Sequence, residues 1–124
     1  TEDVFGFTQL LDLLVHIELD HSKLLPYSLK SVQRYFKTRN RMYTFERVFL
    51  QFIGKLIKCE DRFESEIVWG NLYEELVKIT NENSFESVAL DYFDFQSWAK
   101  SKLTNQSFDK IVREKYRNKL KAVG

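Results

Sequence analysis

Apolar residues recur at steps of three and four along six successive stretches of the chain, the spacing of amphipathic helices. The first stretch, Phe5 to Leu19, carries Phe7, Leu10, Leu11, Leu14 and Ile17, and Leu13 and Val15 widen its stripe to more than one side. The second, Lys23 to Thr38, carries Leu25, Leu29, Val32 and Phe36. Pro26 falls in its first turn, where no intrahelical N–H partner is lost, and Ser22 is the expected N-cap. The third, Tyr43 to Cys59, carries Phe45, Phe49, Phe52, Ile53 and Leu56.

Asp61 and Glu64 have the spacing of a capping box and open a fourth helix to Asn81, with Trp69, Leu72, Tyr73, Leu76 and Ile79 on one face. Ser84 is the expected cap of a fifth helix to Leu103, bearing Phe85, Val88, Ala89, Tyr92, Phe95 and Trp98. Ser107 caps a sixth, bearing Phe108, Ile111, Val112, Tyr116 and Leu120. The brief alternation at Tyr92-Phe93-Asp94-Phe95 sits inside the longer helical period, and no stretch reads as a strand.

Short breaks make neighbouring helices antiparallel, which gives three helical hairpins starting near Phe5, Tyr43 and Phe85. Their period of about 40 residues lies in the range of helical repeats. The expectation is one all-α domain over residues 1–124. Its hairpins either stack as a tetratricopeptide-like right-handed superhelix or close as a compact bundle. The stretch Leu14 to Phe36, with its Asp-centred turn at Asp20 and bulky second helix ending Arg34-Tyr35-Phe36, resembles a degenerate tetratricopeptide hairpin. Arg34-Tyr35-Phe36 and Leu90-Asp91-Tyr92-Phe93-Asp94-Phe95 are also similar to the C-terminal part of bacterial helical-repeat proteins of uncharacterised function. The resemblance implies protein–protein interaction and no chemistry.

Composition sharpens this picture. There are 11 Phe, and Ala occurs only at Ala89, Ala99 and Ala122, so large aromatics must fill the space between helices. Gly54 and Gly70 lie inside helices, where each costs about 1 kcal/mol relative to Ala. They are expected to let a Phe or Trp of a facing helix approach closely, with a hinge or groove floor as the functional alternative. Cys59 is the only cysteine, which rules out an intramolecular disulfide and fits a reducing, cytoplasmic compartment. No run approaches the ~18 apolar residues of a membrane span. Thr1 to Thr8 lacks the basic region of a signal peptide, and the start without Met suggests a C-terminal fragment of a longer protein. Asn105-Gln106-Ser107 is a formal glycosylation sequon without meaning in a cytoplasmic protein.

Charge is segregated along the chain. Residues 1–22 hold five acids and no Lys or Arg, residues 23–58 nine basic residues and one acid. Residues 59–94 hold ten acids and two basic residues, residues 95–124 eight basic residues and two acids. Oppositely charged helices lying side by side account for this simply, at about 0–1 kcal/mol per exposed pair. The functional reading gathers Lys30, Arg34, Lys37, Arg39, Arg41 and Arg47 into one basic patch, and Lys110, Arg113, Lys115, Arg117, Lys119 and Lys121 into another. Arg34, Lys37, Arg39 and Arg41 are the candidate partner contacts. Phe93 joins them as an exposed aromatic anchor whose replacement by Ala is expected to weaken a partner while leaving thermal stability unchanged.

A protein partner is the leading expectation, with self-association through the broad apolar surface of the first helix. The alternative is a nucleic-acid-binding or regulatory domain in which the basic second and third helices meet phosphates and Tyr35 or Tyr43 stacks on bases. Near-neutral net charge, +1, argues against it.

No catalytic set, cofactor site or metal centre is expected. Glu18-Leu19-Asp20-His21 has the Glu-x-x-His spacing of di-iron bundles, but the second such motif is absent. Asp12, His16 and His21 could hold zinc, yet a pair of surface histidines is the commoner explanation. Glu60 and Asp61 oppose thiolate formation at Cys59, and Glu74 and Glu75 point in different directions on a helix. There is no glycine-rich phosphate loop.

Overall fold

The apolar stripes form six helices among the residues that the computed structural model describes, 2–39, 42–82 and 93–123. These are α1 (Glu2–Glu18), α2 (Leu25–Thr38), α3 (Thr44–Lys58), α4 (Arg62–Glu82), α5 (Phe95–Thr104) and α6 (Phe108–Val123). No strand occurs among the described residues, and the all-α class stands. The chain divides into two compact units, Thr1–Glu60 with α1 to α3 and Asp61–Gly124 with α4 to α6.

In the first unit α1 packs on α2 and α3, and α2 packs on α3. The α1–α2 reversal is a Schellman closure, in which Asp20 takes the left-handed conformation at φ 56°. Its N–H donates to Ile17 O at 3.1 Å, and His21 N–H donates to His16 O at 2.9 Å. Asp tolerates this region better than most residues because its short polar side chain can bond locally. Ser22 does not cap α2. The N-cap is Leu24, without a side-chain bond, and His21 O instead accepts from the N–H groups of Leu24 and Leu25. Pro26 occupies the first turn as expected.

Leu25, Leu29, Val32 and Phe36 are all buried, as their spacing predicts, and so are Phe45, Phe49, Leu50, Phe52 and Ile53 of α3. On α1 Gly6, Leu10, Leu13 and Leu14 are buried, while Phe5 and Val15 face solvent. The stripe is widened at Leu13 as expected, but not at Val15.

In the second unit α5 packs on α4 and α6 on α5. Asp61 caps α4, with Glu64 N–H donating to Asp61 Oδ1 at 2.8 Å. Trp69, Leu72, Leu76 and Ile79 of α4 are buried together with Phe95, Trp98, Ala99 and Ile111. The Trp69 and Trp98 rings meet edge to face, centroids 4.9 Å apart. Ser107 caps α6 through its Oγ, which accepts from Lys110 N–H at 3.1 Å.

The expected fifth helix is corrected at its start. Its Ser84 cap lies outside the described residues, but helix does not run through Phe93 and Asp94. Asp94 centres an inverse γ-turn, with φ −82° and ψ 76°, closed by Phe95 N–H donating to Phe93 O at 2.9 Å. The Asp94 carboxylate accepts from Ser97 N–H at 3.0 Å and from Ser97 Oγ at 2.7 Å, so it starts α5 as an N-cap. The last stripe is also shorter than predicted. Ile111 is buried, but Tyr116 and Leu120 are 65% and 59% exposed.

Candidate partner-binding groove

The α2–α3 corner is organised by one internal ion pair. Arg39 follows α2 and turns inward, where its Nη2 donates to Glu46 Oε1 on the first turn of α3. The Arg39 Cζ atom lies over the Phe36 ring, 4.8 Å from its centroid, and over that of Tyr43 at 5.8 Å, both within cation–π range. Glu46 also accepts from Tyr43 N–H at 2.9 Å, reaching back to the α3 N-terminus as the acid of a capping box does. Burial opposes the Arg39 charge, but the Glu46 carboxylate and the Tyr35 side chain outweigh it and raise its pKa above the usual guanidinium value.

Gly6 of α1 makes room for this pair. A Cβ there would overlap Arg39 Nη1 and stand 2.8 Å from Glu46 Oε2. Arg39 thus ties α2 to α3 beneath α1 and does not share the exposed surface on which the basic patch was drawn.

The other candidate residues separate. Arg34 and Lys37 are exposed on α2. Arg41 lies outside the described residues. Phe93 is half-buried, stacked on Phe108 with centroids 5.5 Å apart and edge-on to Phe95 at 4.9 Å. It belongs to the packing of the second unit rather than standing free as an anchor.

Lys37 borders a groove of about 360 Å³ between α2 and α3. Buried Leu50, Gly54 and the more exposed Met42 supply its apolar floor and edge, and Gln33 and Lys37 on α2 and Arg47 and Gln51 on α3 also line it. Gln33 and Lys37 are four residues apart and share a helix face, as do Arg47 and Gln51. No acid occurs among the described residues that line the groove. A Cβ on Gly54 would meet no described atom within 4 Å, so this glycine opens the floor and does not admit an aromatic ring. Among the described residues Gly70 faces Leu103, whose Cδ1 lies 3.9 Å from where a Cβ would stand, an ordinary contact. The close-approach reading of both glycines is corrected, and the glycine with a steric reason is Gly6.

Two further features lie outside the groove. At the α1–α2 corner His16 Nδ1 and His21 Nδ1 are 3.1 Å apart, and His16 Nε2 lies 3.7 Å from Asp12 Oδ2. Cys59 is half-buried and its thiol donates to Lys55 O at 3.4 Å. Among the described residues no three or more His, Cys, Asp or Glu side chains converge on a metal position. No described helix is long and apolar enough to cross a membrane.

Glu46 and Gly6 are the residues that reading the sequence undervalued, whereas Gly54 lines the groove as its groove-floor alternative expected. For Glu46 a signal was available, since it is the only acid among nine basic residues between 23 and 58. Comparison of the chain with protein-family models, with curated proteins and with solved structures gives no match.

Proposed function

We propose that this chain is a protein-interaction module that receives an acidic segment of a partner in the α2–α3 groove. The observation that carries the reading is the groove's composition, an apolar floor between two rims that each bear one exposed cation. Met42 and Leu50 offer contact to a bulky apolar side chain, Lys37 and Arg47 attract carboxylates, and Gln33 and Gln51 donate to or accept from a partner backbone. The tetratricopeptide-like phrase from Leu14 to Phe36 points to the same class of work, a scaffold acting by binding rather than by catalysis. Cys59, the single cysteine of the chain, fits action in a reducing cytoplasm.

Selection of a displayed random-peptide library against the whole chain tests this. The expected winners pair acidic residues with one large apolar residue. Their affinity should fall about tenfold or more in the double variant Lys37→Glu, Arg47→Glu and in Gly54→Leu, which fills the floor. No enrichment, or equal binding by both variants, overturns the reading. Binding of a labelled single-stranded oligonucleotide that weakens steeply with salt and disappears with the charge reversal would instead assign the surface to nucleic acid.

A further inference from the structure

The α1–α2 corner holds an arrangement that the groove does not use. A Schellman closure brings the side chains at its two bonded positions together, usually as an apolar contact. Here those positions are His16 and His21, the only histidines of the chain. Their Nδ1 atoms face each other at 3.1 Å, with the rings tilted 54°. Two imidazole nitrogens on one tetrahedral metal ion, each at ~2.0–2.1 Å, stand roughly 3.3 Å apart. The backbone closure therefore holds the pair near the bite of a metal before any metal arrives.

We propose that His16 and His21 form a two-imidazole site for a divalent transition metal ion such as zinc or nickel, with solvent completing the shell. Asp12 Oδ2, 3.7 Å from His16 Nε2, lies behind that ring beyond hydrogen-bond distance, on the side from which carboxylates orient ligating histidines once they close on them. A pocket of about 250 Å³ at the corner, bordered by both histidines and Asp20, has room for bound water. Imidazole donors select zinc, copper and nickel over magnesium or calcium. In the metal-free pair one Nδ1 carries a proton and the other accepts it. On binding the donor ring changes tautomer, its proton passing through solvent to its own Nε2, so that both Nδ1 lone pairs face the ion. Cys59 borders the same pocket, but the proposed site does not need its thiol.

The test uses the untagged chain carrying Cys59→Ser, titrated with zinc and with nickel by calorimetry. One ion per chain is expected, with affinity reduced about tenfold or more by His16→Gln and by His21→Gln, and by up to about tenfold by Asp12→Asn. Circular dichroism checks that each variant keeps its helix content. A second measurement needs no histidine variant. Because the chain has only two histidines, both imidazole NMR signals should shift together on adding zinc. Absence of saturable binding, binding that survives both glutamine variants, or zinc that leaves the imidazole signals unmoved overturns the proposal.

Discussion

Arg39 and Glu46 form an ion pair whose side chains are only 5% and 2% exposed, across the connection between α2 and α3. Removing one member leaves the other charge buried without its counter-ion, which costs about 3–5 kcal/mol. Arg39→Met and Glu46→Leu should each destabilise the first unit by that order in chemical denaturation. The double variant should recover much of the loss, because an apolar pair of similar volume needs no compensation. Additive losses would mean that the two side chains act independently.

The glycines of the first unit should respond in opposite directions. Gly6→Ala forces the Arg39–Glu46 pair to move and should destabilise by about 1–3 kcal/mol, the usual cost of overpacking. Gly54→Ala meets open space and replaces a poor helix former with the best, so it should stabilise by up to about 1 kcal/mol. Thermal melts of the two variants beside the parent read both signs.

Asp94 makes the second unit sensitive to acid. Burial works to raise its pKa, but bonds from the Ser97 hydroxyl and backbone N–H and the charge of Lys115, 3.0 Å away, outweigh it and hold the carboxyl below its ordinary value of 3.8. A depressed folded-state pKa contributes stability that is complete above the unfolded value and lost as pH falls through the folded one. Melting temperatures measured downward from about pH 5 should therefore decline more steeply below 3.8 than in Asp94→Asn, in which this contribution is missing at every pH.

Phe93→Ala should lower thermal stability, because the ring contacts both Phe95 and Phe108. For a half-buried aromatic the expected loss is about 1–3 kcal/mol. A melting curve superimposable on the parent's would return Phe93 to the surface role that its position in the sequence suggests.

The helical class was legible because period alone carries it. Leu25, Leu29, Val32 and Phe36 alternate steps of four and three, and all four are buried. Period does not report whether a neighbour exists. Tyr116 and Leu120 continue the stripe of Ile111, yet both are exposed. Nor does it report local competition, and the Asp94 carboxylate claims the N–H and hydroxyl of Ser97 where the apolar rhythm runs on. Of the groove, Lys37 and Arg47 could be named from charge. Met42, Leu50 and Gly54 become a floor only when α2 and α3 meet, a fact of three dimensions. Gly6 is legible from no linear pattern, because its partners lie 33 and 40 residues further along the chain.

The outer half of α6 carries a consequence for motion. From Arg113 to Lys121 every residue is exposed, so this segment is held by its own backbone bonds and by contacts such as Arg113 to Asp109 and Lys115 to Asp94. Its amide protons should exchange with solvent through fraying of the helix end, long before those around Trp98 and Ile111 exchange. The second unit thus has a slow, cooperative interior and a fast basic arm, two lifetimes within one helix.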